Sequence, residues 1–150
     1  MGSFFIFVAM NTFLDDKIIP ATDIVNVLLN KNFWAFSENA PVKHKLKPGD
    51  TVLFYVGGKG RHHFVATAKI KKPIQKIHED KLKILQELGL SFLTYTVELS
   101  DVNWFKKEIK IVPLKEQLNF IKDKKNYGLA LRLPVREISE EDYKKITSEQ

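Results

Sequence analysis

NFWAFSENAPVKHKLKPGDTVLFYVGGKGRHHFVATAKI, residues Asn32 to Ile70, decides the fold. Lys47-Pro48-Gly49-Asp50 is a turn, because proline presets φ and glycine accepts positive φ. It launches an apolar run, Thr51 to Val56, and the basic, glycine-rich GGKGR segment returns a second run, His63 to Ile70. Two β-favouring runs across such a turn form a hairpin. Upstream, Phe33 to Phe36 is a brief strand that carries Trp34 into the polar loop Ser37-Glu38-Asn39. The layout is that of a small β-barrel with an aromatic group near a mouth ringed by positive charge. It points to binding a nucleobase rather than to catalysis.

Outward from this hairpin, Phe4 to Met10 is a short apolar run and reads as a buried first strand. Asn11 to Pro20, broken by Asp15-Asp16 and Pro20, reads as a loop. Thr22 is placed to cap a helix through Asn30, with Ile24, Val25, Leu28 and Leu29 on one face. Lys71 to His78 is a basic connector into a helix, Glu79 to Leu88, stopped by Gly89. Ser91 to Leu99 and Trp104 to Val112 alternate as two strands. Pro113 to Ile121 has the apolar spacing of a short amphipathic helix, Lys122 to Asn126 is a charged turn, and Tyr127 to Leu133 reads as a last core strand. Ser139 caps a terminal helix, with Asp142 in the third position of a partial capping box. Nothing in this pattern is a linker or a repeat, so a single α+β domain over residues 1–150 is expected.

The totals restrict the function. There is no cysteine, which removes disulfides, thiolate zinc sites and cysteine nucleophiles and fits a reducing, cytoplasmic setting. No apolar run approaches the roughly 20 residues that span a bilayer, so no membrane partner is expected. Lysine and arginine number 24 against 18 acids, a net charge of +6, and only Arg61, Arg132 and Arg136 are arginine. From Pro41 to Lys76 nine cations face Asp50 alone, whereas Glu137 to Gln150 is acidic. Such asymmetry favours a polyanion-facing side. The same lysines also suit exposed strand edges.

Catalytic constellations are thin. There is no G-x-S-x-G elbow. GGKGR lacks the P-loop pattern and leads into a strand, so it reads as a turn whose Lys59, Arg61 and His62 stand out toward phosphates. His62 and His63 adjoin in a strand and point to opposite faces, so they cannot chelate one metal together. No metal or cofactor is expected. The Glu140-Glu141-Asp142 cluster suits the first turn of a helix. Trp34 has two readings: a core residue, as large aromatics usually are, or a wall on which a base stacks while neighbouring amides and hydroxyls read its edge. Trp104, with Lys106 and Lys107 close behind, is a second stacking wall or a rim residue.

The order FWAFSE, LKPGDTVLFYV, FVATAKI, LNFIKDKKNYG and REISEEDYKKI resembles the EVE domain, a family of the PUA-like superfamily related to YTH domains. The likeness runs from about Phe5 to Ile146. It implies a PUA-like small β-barrel flanked by short helices, with an aromatic-lined pocket for a modified, methylated base of DNA or RNA. Trp34 matches a wall of the methyladenine cage of YTH relatives. Asn11 and Ser37 match pocket-lining positions, Asn39 is a further candidate, and Tyr127 stands where family members commonly carry Trp. Phe92 or Tyr95 could supply the aromatic wall missing after the hairpin. Phosphates would be held by Lys43, Lys45, Lys59, Arg61, His62, Lys124 and Lys125. Similar domains stand at the front of McrB-type, modification-dependent restriction motors, whose motor and nuclease parts would be separate from this chain. The expected function is therefore non-catalytic recognition of a modified base, with modified DNA favoured over RNA. The alternative is a PUA-type RNA-binding module acting on tRNA or rRNA.

Overall fold

A computed structural model of the chain describes residues 2–41, 43–58 and 62–149. Its centre is the strand launched by the Lys47–Asp50 turn. Strand β5 (Thr51–Val56) is buried at every position. Val52, Phe54 and Val56 point into one apolar cluster, Leu53 and Tyr55 into another. A continuous apolar run is what a strand covered on both faces requires. Strand β1 (Phe4–Ala9) follows the same rule, with Phe5, Phe7 and Ala9 on the first side and Ile6 on the second.

β1 and β5 pair in parallel, from Phe4 opposite Thr51 to Ala9 opposite Val56. A parallel pair needs a crossover. Here it holds a small hairpin, β2 (Thr12–Leu14) and β3 (Lys17–Ile19), then helix α1 (Ala21–Asn30) and strand β4 (Phe33–Phe36). β5 turns back into β6 (His63–Ile70), which pairs with the long β8 (Tyr95–Lys110). Between them lie β7 (Gln75–Lys76) and helix α2 (Glu79–Glu87). Strand β9 (Val135–Ile138) covers the other edge of β1, and helix α3 (Glu140–Thr147) closes the second cluster through Ile146. The curled sheet runs β4-β8-β6-β5-β1-β9, with β7 also on β8. This is the expected α+β barrel-like fold. No helix among the described residues is long and apolar enough to cross a membrane.

The turn motif earns its place through Asp50. Asp50 is 4% exposed, and its carboxylate accepts from the backbone N–H of Ser3 at 2.8 Å and of Lys47 at 2.9 Å. Gly49, at φ +93°, donates its N–H to the Ile70 carbonyl at 2.8 Å. One turn thus ties the start of β1 to the end of β6.

Several expectations change. Asn11 to Pro20 is not a plain loop: it folds into the β2–β3 hairpin, which Asp15 turns at φ +56°. Thr22 does not cap α1; Pro20 holds the cap position, and the free Ala21 N–H is received by the Asn11 side chain at 2.9 Å. The two strands read from Ser91 to Val112 are one strand, because bulges opposite Val65 and Ala68 absorb the breaks in alternation. His62 precedes β6 at φ +50° rather than lying in it. Pro113 to Ile121 forms no α-helix; a 3-10 turn covers Val112–Leu114 and only Leu114, Leu118, Phe120 and Ile121 need burial. Tyr127 to Leu133 is not a strand but a 3-10 turn over Tyr127–Leu131, since Val135–Ile138 takes the free edge of β1. Ser139 caps α3 as expected, accepting from Asp142 N–H at 3.1 Å. Asp142 does more than favour the helix dipole: only 1% exposed, it accepts from the N–H groups of Asn119 and Phe120.

Replacing Asp50 by alanine strands two backbone donors and is expected to cost about 2–4 kcal/mol. A urea titration would show it as a lower midpoint with an unchanged slope.

Candidate functional site

A cavity of about 320 Å³ opens where β1 leaves the sheet. That is near the lower end of the volumes of small-molecule sites, about 300–1,000 Å³. Its walls come from Val8 to Thr12 on β1 and beyond, Ile24 and Leu28 of α1, Trp34, Ala35 and Ser37 around β4, Leu90, Phe92 and Leu93 after α2, and Arg132 and Pro134 before β9. The lining is mostly apolar, with Asn11, Thr12, Ser37 and Arg132 as its polar side chains.

Trp34 is a core residue that borders the cavity. It is only 4% exposed, yet it lines the cavity. Phe7 lies against it at 6.1 Å between ring centroids and 29° between planes, and Phe54 at 5.0 Å and 55°. These contacts hold the indole in place. Asn11 is fixed as well: because Oδ1 receives the Ala21 N–H, its amide NH2 is the part left as a donor. Thr12 is already engaged, donating to the Leu88 carbonyl at 2.6 Å. Ser37 and the exposed Arg132 complete the polar set.

The structure therefore brings together Trp34, Asn11 and Ser37. Asn39 does not line the cavity; it is exposed in the loop beyond Ser37. Tyr127 does not line it either. It packs on the second apolar cluster, with its ring 6.0 Å from His62 and under the Lys115 ammonium at 5.2 Å. Of the two other candidate aromatics, Phe92, 64% exposed, lines the cavity, while Tyr95 faces Lys43 and His44 instead. Arg132 was not anticipated. Its signal was composition, one of three arginines in a lysine-rich chain.

The expected phosphate contacts separate. Lys43 is buried at 5% exposure, donates to the Glu38 carbonyl and sits 4.9 Å from the Tyr95 ring centroid, so it is a packing residue rather than a free surface cation. Lys45 is 65% exposed beside Glu137. Lys124 reaches the Leu118 carbonyl at 2.8 Å, and Lys125 is exposed. His62 is half-buried, with Nδ1 3.3 Å from the Tyr55 hydroxyl, which burial pushes above its ordinary pKa. Lys59 and Arg61 lie outside the described residues. Among the described residues no group of His, Asp and Glu is gathered that could hold a metal ion.

Fold and cavity are those of a PUA-like α+β domain with an aromatic-lined, partly open cavity. The EVE domain family model matches residues 26–149, and the chain belongs to the EVE domain family. A UPF0310 protein of Pyrococcus abyssi is 33% identical over 139 residues, covering 87% of this chain and 94% of its own. Among solved structures, human THYN1 in complex with 5-methylcytosine-containing DNA matches with a TM-score of 0.67 at 16% identity, covering 98% of this chain and 96% of that one. The N-terminal domain of Staphylothermus marinus McrB matches with a TM-score of 0.55 at 10% identity, over 100% and 96% of the two chains.

The Phe92 wall hangs on a tight backbone approach. Gly89, at φ +70°, leaves room for the Phe13 carbonyl, which a Cβ would meet at 2.5 Å. Gly89→Ala is expected to destabilise by about 2 kcal/mol or more. Hydrogen exchange should rise first in Thr12–Ile19 and in the segment around Leu90 to Leu93.

Proposed function

We propose that this EVE domain is a non-catalytic reader of modified nucleic acid, which takes a methylated base, flipped out of DNA, into the Trp34 cavity. The observation that carries the reading is the cavity itself: a pre-fixed indole, a second aromatic at the mouth, and a few polar groups set in apolar walls. A methyl group on a base is recognised by apolar contact, which Val8, Met10, Ile24 and Leu28 offer. The base edge is read by the Asn11 amide, the Ser37 hydroxyl and the Arg132 guanidinium. The net charge of +6 supports a polyanionic partner. The THYN1 complex with methylated DNA supports the choice of DNA.

The energetics are consistent with such a mode. Extruding a base costs a few kcal/mol, least when it is damaged or unpaired. Stacking returns about 1–3 kcal/mol. Edge hydrogen bonds and phosphate contacts by Lys45, Lys125, Lys59 and Arg61 supply the remainder, and the latter make binding salt-dependent. The domain recognises and does not cut. The structural likeness to the McrB domain supports a specificity role in a modification-dependent restriction system, with motor and nuclease parts on other regions or partners.

Fluorescence anisotropy on matched duplexes, single strands and RNAs tests this. Each is unmodified or carries 5-methylcytosine, hydroxymethylcytosine or methyladenine. Trp34→Leu is the informative variant, because truncation to alanine would cost about 3–5 kcal/mol of fold stability. The preference for a modified base is expected to fall at least about fivefold. Equal binding to every ligand, unchanged in the variant, rejects the reading, and a strict need for 2′-hydroxyls moves it to RNA.

Asn11 gives a second test, because it caps α1 and faces the cavity. Asn11→Asp keeps the acceptor for Ala21 N–H and loses the donor. It should hold its melting temperature while the modified-base affinity drops about tenfold. Asn11→Ala should lose affinity and about 1 kcal/mol of stability as well.

A further inference from the structure

We infer that Trp104, Lys106 and Lys107 form a second nucleic-acid contact on the outer sheet, a stacking platform for an unpaired base of a single strand whose phosphates the two lysines hold. This rests on the nucleic-acid-binding reading above and adds a site that the Trp34 cavity does not include.

The platform is made by an irregularity in β8. Phe64 of β6 pairs with Ile109 and Ala66 with Trp104, so Val65 alone faces Phe105 to Glu108. A second shift lies between Thr67, opposite Asn103, and Lys69, opposite Ser100, where Asp101 takes φ +52°. Bulges re-aim side chains and gather next to functional sites. Between the two shifts, Trp104 emerges 40% exposed, while its neighbour Phe105 is buried in the second cluster. At 40% exposure, part of the indole is open to solvent on the sheet surface.

Trp104 shares an open depression of about 570 Å³ with Val65, Phe105, Lys106, Lys107 and Glu108. The two lysines are exposed. Glu108, the acid of the group, lies 2.9 Å from His63 Nε2 and is 57% exposed, so the patch sets two lysines against one acid. An exposed aromatic beside mobile cations is the pairing by which proteins bind single strands without sequence preference: the ring stacks any base and the cations follow the backbone. Charge complementarity therefore selects the occupant. An apolar protein partner would meet Lys106 and Lys107 at the centre of its contact, where interfaces are depleted in lysine.

The site also offers its own probe. The chain has two tryptophans. In Trp34→Phe, Trp104 is the remaining emitter, and an unmodified oligothymidylate of about 12 nucleotides, within the span of common single-strand sites, is the ligand. Saturation is expected to quench Trp104 emission and shield it from acrylamide. In the otherwise native chain, Trp104→Ala is expected to weaken oligothymidylate binding by about five- to a hundredfold, with Trp104→Phe restoring part of it. Lys106→Ala with Lys107→Ala should lower the slope of log affinity against log salt by about 1.4. Circular dichroism melting confirms that each variant is folded. Emission unchanged at saturation, or equal affinity in folded Trp104→Ala, overturns the platform. The preference for a modified base in duplex DNA separates the two proposals: if Trp34→Leu abolishes it while the Trp104 results are negative, the reader stands and the platform falls. A protein that binds no oligonucleotide overturns both.

Discussion

Burial of β1 and β5 on both faces is the constraint on which the rest of the structure depends. Two adjacent parallel strands with no solvent face require a layer on each side. The chain supplies one layer from α1, β4 and the segment after α2, and the other from α3 and the 3-10 turns between residues 112 and 131. Apolar side chains alternate between the two layers by strand geometry alone. Phe7 and Phe54 thus fall on the side of Trp34, and Ile6 and Tyr55 on the side of Tyr127.

The cavity follows from that arrangement. At the end of β1 the chain must leave the sheet and cross to α1, and the crossover cannot fill the space beyond Ala9. Asn11 serves two purposes there: its side-chain oxygen accepts from the first N–H of α1 and its amide faces the gap. Trp34 is held by the layer's own aromatics, so this wall of the cavity is part of the core rather than an addition to it. A site built into the core is rigid, and rigidity lowers the ordering cost of binding. In the proposed reading the charged surface is separate and works at longer range, where lysines set encounter and salt dependence rather than identity.

Local chemistry explains what could be read from the sequence. β5, the Lys47–Asp50 turn, the β5–β6 hairpin and the Ser139 cap depend on neighbours in the chain, and each was legible. The partners of Asp50, Ser3 and the Ile70 region, come from distant segments, so the turn was visible but its tie was not. Tyr127 to Leu133 alternates like a strand, yet a strand needs a free edge, and Val135–Ile138 holds it. The same limit applies at the site. The family resemblance names Trp34, Asn11 and Ser37, which do line the cavity. It leaves Phe92 as one of two open aromatics and misses Arg132, because both arrive from segments whose placement only the packing determines. Lys43 shows the converse. As a lysine in a basic run it reads as surface charge, but its stem is buried and its ammonium is satisfied by a carbonyl and the Tyr95 ring.

The central claim is that the methyl group of a modified base sits in the Trp34 cavity. The most direct measurement is NMR of this protein bound to DNA carrying a carbon-13-labelled 5-methylcytosine methyl group. The account predicts an upfield ring-current shift of that methyl resonance and cross-relaxation to Trp34 and to methyl groups of Val8, Ile24 or Leu28, with the shift collapsing in Trp34→Leu. A bound methyl resonance at its free-DNA position, with no contact to those side chains, would contradict it.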